Sequence, residues 1–138
     1  MCTEKIMIIG ASNAGLTVAQ NLYRSGKDFD ITIIDKNKDI GYLGCGTPIF
    51  LSQPGRSYQA FFNKDVAEIK QHLTRLYAET TVEKIDFKHK QVLINNSQGQ
   101  QQLTYDKLVL ATGATPRIIA PFNLNYQNMF TMHNMADT

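Results

Sequence analysis

The sequence of 138 residues has no long apolar run, and its longest apolar stretches, such as 6–11 and 108–111, have the length of single strands. A membrane-spanning helix needs about 20 apolar residues, so we expect no span. The 14 lysines and arginines and the 12 acidic residues are scattered without a basic run. This pattern argues against nucleic acid or an anionic membrane surface as a partner. The first residues, 1–5, lack a secretory signal, which favours the cytoplasm.

Cysteine and histidine are also scarce. The two cysteines, Cys2 and Cys45, are too few for a disulfide framework, and a reducing compartment would keep both thiols free. The histidines, His72, His89 and His133, are isolated from one another and from other potential ligands. Because metal sites are built from closely spaced His, Cys or carboxylate residues, no metal ion is expected.

The hydrophobic residues make up 43% of the chain, which suits one packed domain. Segment 5–9 is a short apolar run, as in a strand buried on both faces of a parallel sheet, and segment 30–35, with Ile31, Ile33 and Ile34, indicates a second buried strand. Helical spacing from Asn13 to about Ser25 lies between them and completes a βαβ unit. A second helix is predicted after a cap at Asn63, on the spacing of Val66, Ile69, Leu73, Leu76 and Tyr77.

The second half of the chain has the pattern of a small all-β unit. Segments 81–87, 91–94 and 102–105 resemble strands joined by polar turns, which predicts a β-meander. A buried strand over 107–112 follows, and Pro116 and Pro121 predict an irregular path beyond Gly113. The expected fold class is therefore α/β, with a parallel sheet and an inserted β-meander.

A glycine-rich motif, Gly10-Ala11-Ser12-Asn13-Ala14-Gly15, directly follows the first strand and opens the first helix. This is the position of a G-x-G-x-x-G dinucleotide-binding motif, with serine replacing the middle glycine. In such motifs the helix N-terminus holds a pyrophosphate, and a β-carbon at Gly10 is expected to intrude on the phosphate. The structural alternative is a plain turn.

Asp35 adds weight to the nucleotide interpretation. It ends the second strand, 20 residues after Gly15, where a carboxylate accepts hydrogen bonds from a ribose hydroxyl. A surface aspartate at a strand end is the structural alternative. The two features together predict dinucleotide binding.

Cys45 lies in the glycine-rich segment 41–46, ahead of a short helix predicted over 48–52. Thr47 can cap that helix and Pro48 can occupy its first turn. A helix N-terminus favours negative charge and therefore the reactive thiolate form of a cysteine. A small buried cysteine in a glycine-rich loop fits the spacing at least as well. No second cysteine is close enough in sequence for a local disulfide, so a catalytic Cys45 acts alone or with a sulfur of the substrate.

Four segments resemble, in order and spacing, the single-cysteine branch of the pyridine nucleotide-disulfide oxidoreductases. That branch includes NADH peroxidase, water-forming NADH oxidase and coenzyme A-disulfide reductase. The matching segments are the glycine-rich motif, the strand-end aspartate, residues 40–46 and residues 105–114. The resemblance implies a Rossmann-like FAD/NAD(P)-binding domain, FAD as cofactor and NAD(P)H as co-substrate.

The resemblance also implies a role for each matching residue. Gly10 to Gly15 would hold the FAD pyrophosphate, Asp35 the adenosine ribose, and Cys45 would be the redox cysteine beside the flavin. A second FAD contact is implied at Ala111, Thr112, Gly113 and Ala114, which by themselves indicate only a glycine turn after a strand. The implied acceptor is a small molecule, namely a disulfide, peroxide or oxygen.

Two features depart from the family pattern. Asn13 stands where the peroxidases and oxidases carry a histidine base, and asparagine cannot shuttle a proton near neutral pH. The family's NAD-binding, FAD-return and dimerisation segments do not fit after Gly113, so residues 1–138 are expected to be a partial FAD-binding domain of a homodimeric enzyme. Two alternatives stay open: a non-catalytic nucleotide-binding module or truncated remnant, and another flavoenzyme, such as a ferredoxin or nitrite reductase relative, in which Cys45 is incidental.

Overall fold

The computed structural model describes residues 3–52, 55, 57, 62–63, 65–119, 129, 131 and 133. Its strands are β1 (Glu4–Ile9), β2 (Phe29–Ile34), β3 (Arg75–Tyr77), β4 (Thr81–Asp86), β5 (Gln91–Asn96), β6 (Gly99–Thr104) and β7 (Lys107–Leu110). Its helices are α1 (Asn13–Arg24), a one-turn 3-10 helix (Gly44–Gly46), α2 (Thr47–Ser52) and α3 (Val66–Gln71). Among these described elements, no helix is long and apolar enough to cross a membrane.

The larger sheet is parallel, with the strand order β3-β2-β1-β7. Its central strands are apolar because both of their faces are covered, as the continuous apolar runs predict. Ile8 and Ile33 pack with Leu16 of α1 on one face, and Met7 and Ile34 pack against the meander on the other. The predicted Rossmann-like α/β fold is confirmed.

The position of β7 creates a crevice at one edge of this sheet. From β1 the chain passes to β2 on one side, and it returns later to pair β7 with the other side of β1. In open parallel sheets, ligands bind at such a switch point, outside the carboxyl ends of the strands. The carboxyl ends of β1, β2 and β7 are therefore where a ligand site is expected.

The predicted meander is confirmed as a separate antiparallel sheet with the order β4-β5-β6. Val92 and Ile94 of its middle strand are fully buried against the parallel sheet. In its first turn, Asp86 accepts hydrogen bonds from the backbone amide of His89 at 2.9 Å and from the His89 ring at 2.8 Å. The hydrogen bond from the His89 side chain is the main cause that lowers the pKa of Asp86.

The predicted second helix is wrong beyond residue 71. Helix α3 ends at Gln71, and Leu76 and Tyr77 lie instead in β3, which pairs in parallel with β2. The apolar spacing did not distinguish a helix from a strand in this segment. The backbone N–H and C=O groups along the edge of β2 find partners here only if the segment becomes a strand. Asn63 is not the cap either: the cap position is Asp65, whose amide donates to Asn63 Oδ1 at 2.9 Å.

The last strand is shorter than predicted. It ends at Leu110 rather than at residue 112, although the amide of Ala111 still donates to the carbonyl of Ile9 at 2.8 Å. Residues 111–119 then follow an irregular path, as expected of the segment around Pro116. Pro121 lies outside the described residues.

Candidate functional site

The glycine-rich loop leaves β1 at the switch point and packs directly on the end of β7. Gly10 has a φ of +109°, and a β-carbon there would lie 2.1 Å from the carbonyl oxygen of Ala111. A β-carbon on Gly15 would lie 1.9 Å from the carbonyl oxygen of Gly10. From the sequence, we expected a β-carbon at position 10 to collide with a bound phosphate. In the structure it would collide first with the backbone of Ala111. The motif thus brings Gly10, Gly15 and the turn at 111–114 together.

Asp35 holds this loop from the neighbouring strand. Its Oδ2 accepts a hydrogen bond from the amide of Ala11 at 2.6 Å. Its Oδ1 accepts from the amide of Asn37 at 2.7 Å and from the Asn37 side chain at 2.9 Å. A carboxylate has about four lone-pair sites, so three of these are occupied and one on Oδ2 stays available. Asp35 therefore orders the loop and keeps an acceptor for a further donor.

The start of α1 is exposed and is not capped by a side chain. The side chain of Ser12, at the cap position, makes no capping hydrogen bond, and Asn13 and Ala14 are exposed. The first backbone amides of a helix lack partners within the helix and form an anion-binding end. Asn13 occupies the first helical position, at the edge of this end.

Two hydrogen bonds connect the loop to the segment that carries Cys45. The hydroxyl of Ser12 donates to the carbonyl of Tyr42 at 3.0 Å, and the amide of Gly41 donates to the carbonyl of Ala11 at 2.7 Å. The Tyr42 hydroxyl is in turn hydrogen-bonded to Thr47 Oγ1 at the start of α2. Sequence reasoning missed Tyr42, for which the only signal was its closeness to Cys45. The sequence positions of the two segments, about 30 residues apart, gave no sign of contact.

Cys45 occupies the middle of the 3-10 helix, directly before α2. Its thiol is free and exposed, so the alternative of a small buried cysteine is wrong. Thr47 is not a cap outside the helix, because α2 begins at Thr47 itself, whose backbone is already helical at φ −55° and ψ −45°. The thiol is open to solvent and to a ligand at this edge of the sheet.

The residues after β7 complete the arrangement. Ala111 is half-buried beside Gly10, and Thr112, Gly113 and Ala114 are exposed. Across the described residues, no three His, Cys, Asp or Glu side chains form a group that could hold a metal ion. The site thus offers backbone amides, one carboxylate and one thiol, which suit an organic anion and a reacting sulfur.

The Ser12 link gives a first test of this arrangement. Ser12→Ala removes one of the two hydrogen bonds to the Cys45 segment and is expected to lower the free energy of unfolding by about 1 kcal/mol. Hydrogen exchange should quicken at residues 41–46, measured by mass spectrometry. Ser25→Ala is the matched control, because Ser25 Oγ donates to the carbonyl of Leu22 and accepts from the amide of Lys27, both at its own end of α1. Equal exchange at 41–46 in both variants would contradict the link.

Two curated proteins, an oxidase and a reductase, are similar to this chain in sequence. An NADH oxidase of Lactococcus lactis subsp. cremoris is 34% identical over 83% of this chain and 26% of its own length. A coenzyme A disulfide reductase of Staphylococcus haemolyticus is 34% identical over 98% of this chain and 31% of its own length. The chain therefore spans less than a third of each of these two curated relatives.

Solved structures share the fold. An NAD-dependent persulfide reductase from A. fulgidus superposes with a TM-score of 0.86 at 26% identity, covering 96% of this chain and 26% of that one. A water-forming NADH oxidase from Lactobacillus brevis has the same TM-score of 0.86 at 22% identity, covering 98% of this chain and 30% of that one. The family model for pyridine nucleotide-disulphide oxidoreductases matches residues 4–138, which is nearly the whole chain. The chain therefore belongs to the pyridine nucleotide-disulphide oxidoreductase family.

Proposed function

We propose that this chain forms the FAD site of a flavin-dependent NAD(P)H oxidoreductase, in which Cys45 passes electrons to a small-molecule acceptor. The observation that carries the proposal is the convergence, at one edge of the parallel sheet, of the glycine-rich loop, Asp35, the turn at 111–114 and the exposed Cys45. The intact enzyme is proposed to be a homodimer that contains residues 1–138 as a partial FAD-binding domain.

The adenine half of FAD fits the first part of this edge. The uncapped amides at the start of α1, with Gly10 to Gly15 around them, suit the pyrophosphate. The free lone pair on Asp35 Oδ2 suits a ribose hydroxyl, while the other three sites hold the loop in place. The exposed backbone of Thr112, Gly113 and Ala114 supplies the second contact to the cofactor.

The reactive half of the cofactor fits beside Cys45. FAD supplies hydride acceptance from NAD(P)H, and the protein orients it and supplies the thiol. The hydrogen bond from Ser12 to Tyr42 ties the thiol's segment to the loop that would hold the pyrophosphate. A lone thiolate can attack a disulfide and form a mixed disulfide with one half of it.

Among the three acceptors, a disulfide is favoured by Asn13. The family resemblance implies that reduction of peroxide or oxygen by the usual route uses a histidine base at this position, and an amide side chain cannot shuttle a proton near neutral pH. Attack on a disulfide releases a thiolate, which can leave without help from such a base. The relatives include both an NADH oxidase and a coenzyme A disulfide reductase, and the second fits this site better.

A second candidate is a nucleotide-binding module without catalysis. It is favoured by the contacts of the loop, because the glycine-rich loop is held by Asp35 and packs on Ala111 without any contribution from Cys45. Both candidates require a nucleotide to bind at the edge of the sheet that carries the glycine-rich loop, Asp35 and the turn at 111–114. Only the first requires flavin beside Cys45. The two therefore differ in whether the chain takes up FAD or only an adenine nucleotide.

We expect the purified chain to retain FAD after gel filtration and to show a yellow flavin spectrum.

Asp35→Ala should weaken ADP binding about tenfold or more in calorimetry, because both a ribose acceptor and the Ala11 contact are lost. Asp35→Glu should keep most of the affinity, and the exposed Asp39→Ala is the control for loss of charge. ADP binding without FAD would support the second candidate, and binding of neither would contradict both.

A further inference from the structure

The two carboxylate oxygens of Asp35 are occupied to different extents. Oδ1 accepts two hydrogen bonds, both from Asn37: one from its backbone amide at 2.7 Å and one from its side-chain amide at 2.9 Å. Oδ2 accepts one hydrogen bond, from the backbone amide of Ala11 at 2.6 Å. Each carboxylate oxygen has about two lone-pair sites. Asn37 therefore fills Oδ1, and only Oδ2 keeps a site for a ligand.

The turn that carries Asp35 and Asn37 is fixed by the connection between β3 and β4. The amide of Asp35 donates to the carbonyl of Tyr77 at 2.8 Å, and the carbonyl of Asp35 accepts from the amide of Thr80 at 2.9 Å. The carbonyl of Asn37 accepts from the amide of Glu79 at 3.2 Å. Because the backbone is held at both residues, Asn37 stays within hydrogen-bond reach of Oδ1.

This occupancy limits what Asp35 can accept from a ribose. A ribose has neighbouring 2′ and 3′ hydroxyls, and a carboxylate with both oxygens free can accept one hydroxyl on each oxygen. Asp35 has no lone pair left on Oδ1 and only one on Oδ2. If a second hydroxyl displaced the side-chain amide of Asn37, one hydrogen bond would replace another. The second hydroxyl therefore adds little affinity.

We propose that Asn37 is a positioning residue that restricts Asp35 to one hydroxyl of an adenosine ribose. The proposal rests on the proposed function, because it requires the ribose of an adenine nucleotide to bind at Asp35. The hydroxyl that contacts Oδ2 shares this oxygen with the amide of Ala11 and lies beside the glycine-rich loop. The other hydroxyl has no acceptor on Asp35. The site therefore binds an adenine nucleotide without this second hydroxyl about as well as one that has both.

Calorimetric titration of the flavin-free chain with ADP, 2′-deoxy-ADP and 3′-deoxy-ADP tests this restriction. One of the two deoxynucleotides should bind about tenfold or more weakly than ADP, because Oδ2 loses its hydroxyl donor. The other should bind within about twofold of ADP, because its missing hydroxyl has no acceptor on Asp35. In Asp35→Ala the three nucleotides should bind alike.

Asn37→Ala should add a contact rather than only remove one. The variant frees one lone pair on Oδ1, because only the backbone amide of residue 37 still donates to that oxygen. Both ribose hydroxyls can then be accepted, so the deoxynucleotide that the unaltered chain binds like ADP should bind about fivefold more weakly than ADP. A merely structural role of Asn37 would instead weaken all three nucleotides equally.

Asn21→Ala is the matched control for this variant. Asn21 is also an exposed asparagine with a hydrogen-bonded side-chain amide, but that amide donates to the carbonyl of Thr17 within α1, at 2.8 Å. The variant should keep the pattern of the unaltered chain, with a loss for one deoxynucleotide only.

Three results with intact ADP binding would overturn the proposal. The unaltered chain could lose affinity for both deoxynucleotides, which would mean that Asp35 contacts both hydroxyls, or for neither of them. The third is an unchanged pattern in Asn37→Ala. Absence of ADP binding would contradict the proposed nucleotide site, and this inference with it. The ADP titration therefore separates failure of the inference from failure of the proposed function.

Discussion

Gly10→Ala is expected to lower the free energy of unfolding by about 2 to 6 kcal/mol, the sum of backbone strain and overpacking. The strain arises because φ is +109° at this position. The overpacking arises because the new β-carbon would lie 2.1 Å from the carbonyl oxygen of Ala111, and Ala111 is held in place because its amide donates to the carbonyl of Ile9. Neither atom is the end of a flexible side chain, so the end of β7 must separate from the loop.

Gly26→Ala separates the two causes. Gly26 also has a positive φ, +70°, but a β-carbon there would contact nothing within 4 Å. The free energy of unfolding of this variant should fall only by the cost of placing alanine in the left-handed conformation, about 1 to 2 kcal/mol. Urea unfolding of both variants measures the difference. If Gly10→Ala is no more destabilising than Gly26→Ala, the loop does not pack on Ala111 as described.

The same position tests the nucleotide site. Gly10→Val should abolish binding of FAD and ADP in calorimetry, because it displaces both the glycine-rich loop and the turn at 111–114. Gly99→Ala is the control for strain, since Gly99 in the meander also has a positive φ, +100°, and its β-carbon would contact nothing within 4 Å. Retained binding in Gly10→Val, under conditions where the variant is folded, would place the nucleotide site elsewhere.

The first βαβ unit could be predicted from the sequence because its signals are local. The apolar runs of β1 and β2 and the helical spacing of α1 each depend on neighbouring residues, and the structure places them within a residue or two of the predicted bounds. The strand β3 could not be predicted in this way. Its three residues become a strand only through pairing with β2, more than 40 residues earlier in the chain.

The candidate site shows the same division between local and distant information. The motif and its spacing predict roles for Gly10 and Asp35, and the resemblance to the family predicts one for Cys45; these roles stay predictions. The hydrogen bonds between Ala11 and Asp35, and between Ser12 and Tyr42, were not predictable. In each bond one partner is a backbone group, which every residue carries, so the residue type does not mark it and only the folded geometry reveals it.

The exposure of Cys45 makes a direct labelling experiment meaningful. An exposed, free thiol ahead of a helix should react readily with an alkylating reagent, and mass spectrometry separates its product from that of Cys2. Added FAD should slow the labelling of Cys45 if the flavin lies against it. The labelling of Cys2, the internal comparison, should not respond to FAD. Protection of both thiols, or of neither, would argue against a flavin beside Cys45.

In the intact, flavin-loaded enzyme, Cys45→Ser is expected to lower turnover of a disulfide acceptor by about a thousandfold or more, as for loss of a catalytic nucleophile. Reduction of the flavin by NADH, followed by stopped-flow absorbance, should be unchanged, because hydride transfer precedes the thiol step. The reason is chemical: serine has nearly the shape of cysteine, but its hydroxyl cannot form the mixed disulfide that accepts two electrons and releases a thiol.

Cys2→Ser is the control for this experiment, because it also replaces one thiol by a hydroxyl but lies outside segment 41–46 that carries Cys45. It should keep both half-reactions. A parallel loss of flavin reduction in Cys45→Ser would mean that the substitution disturbs the flavin site, which the flavin absorbance of the purified variant would reveal. Acceptor turnover that persists in Cys45→Ser with intact flavin would show that electrons leave the flavin by another route, and the exposed thiol would then have no part in the reaction.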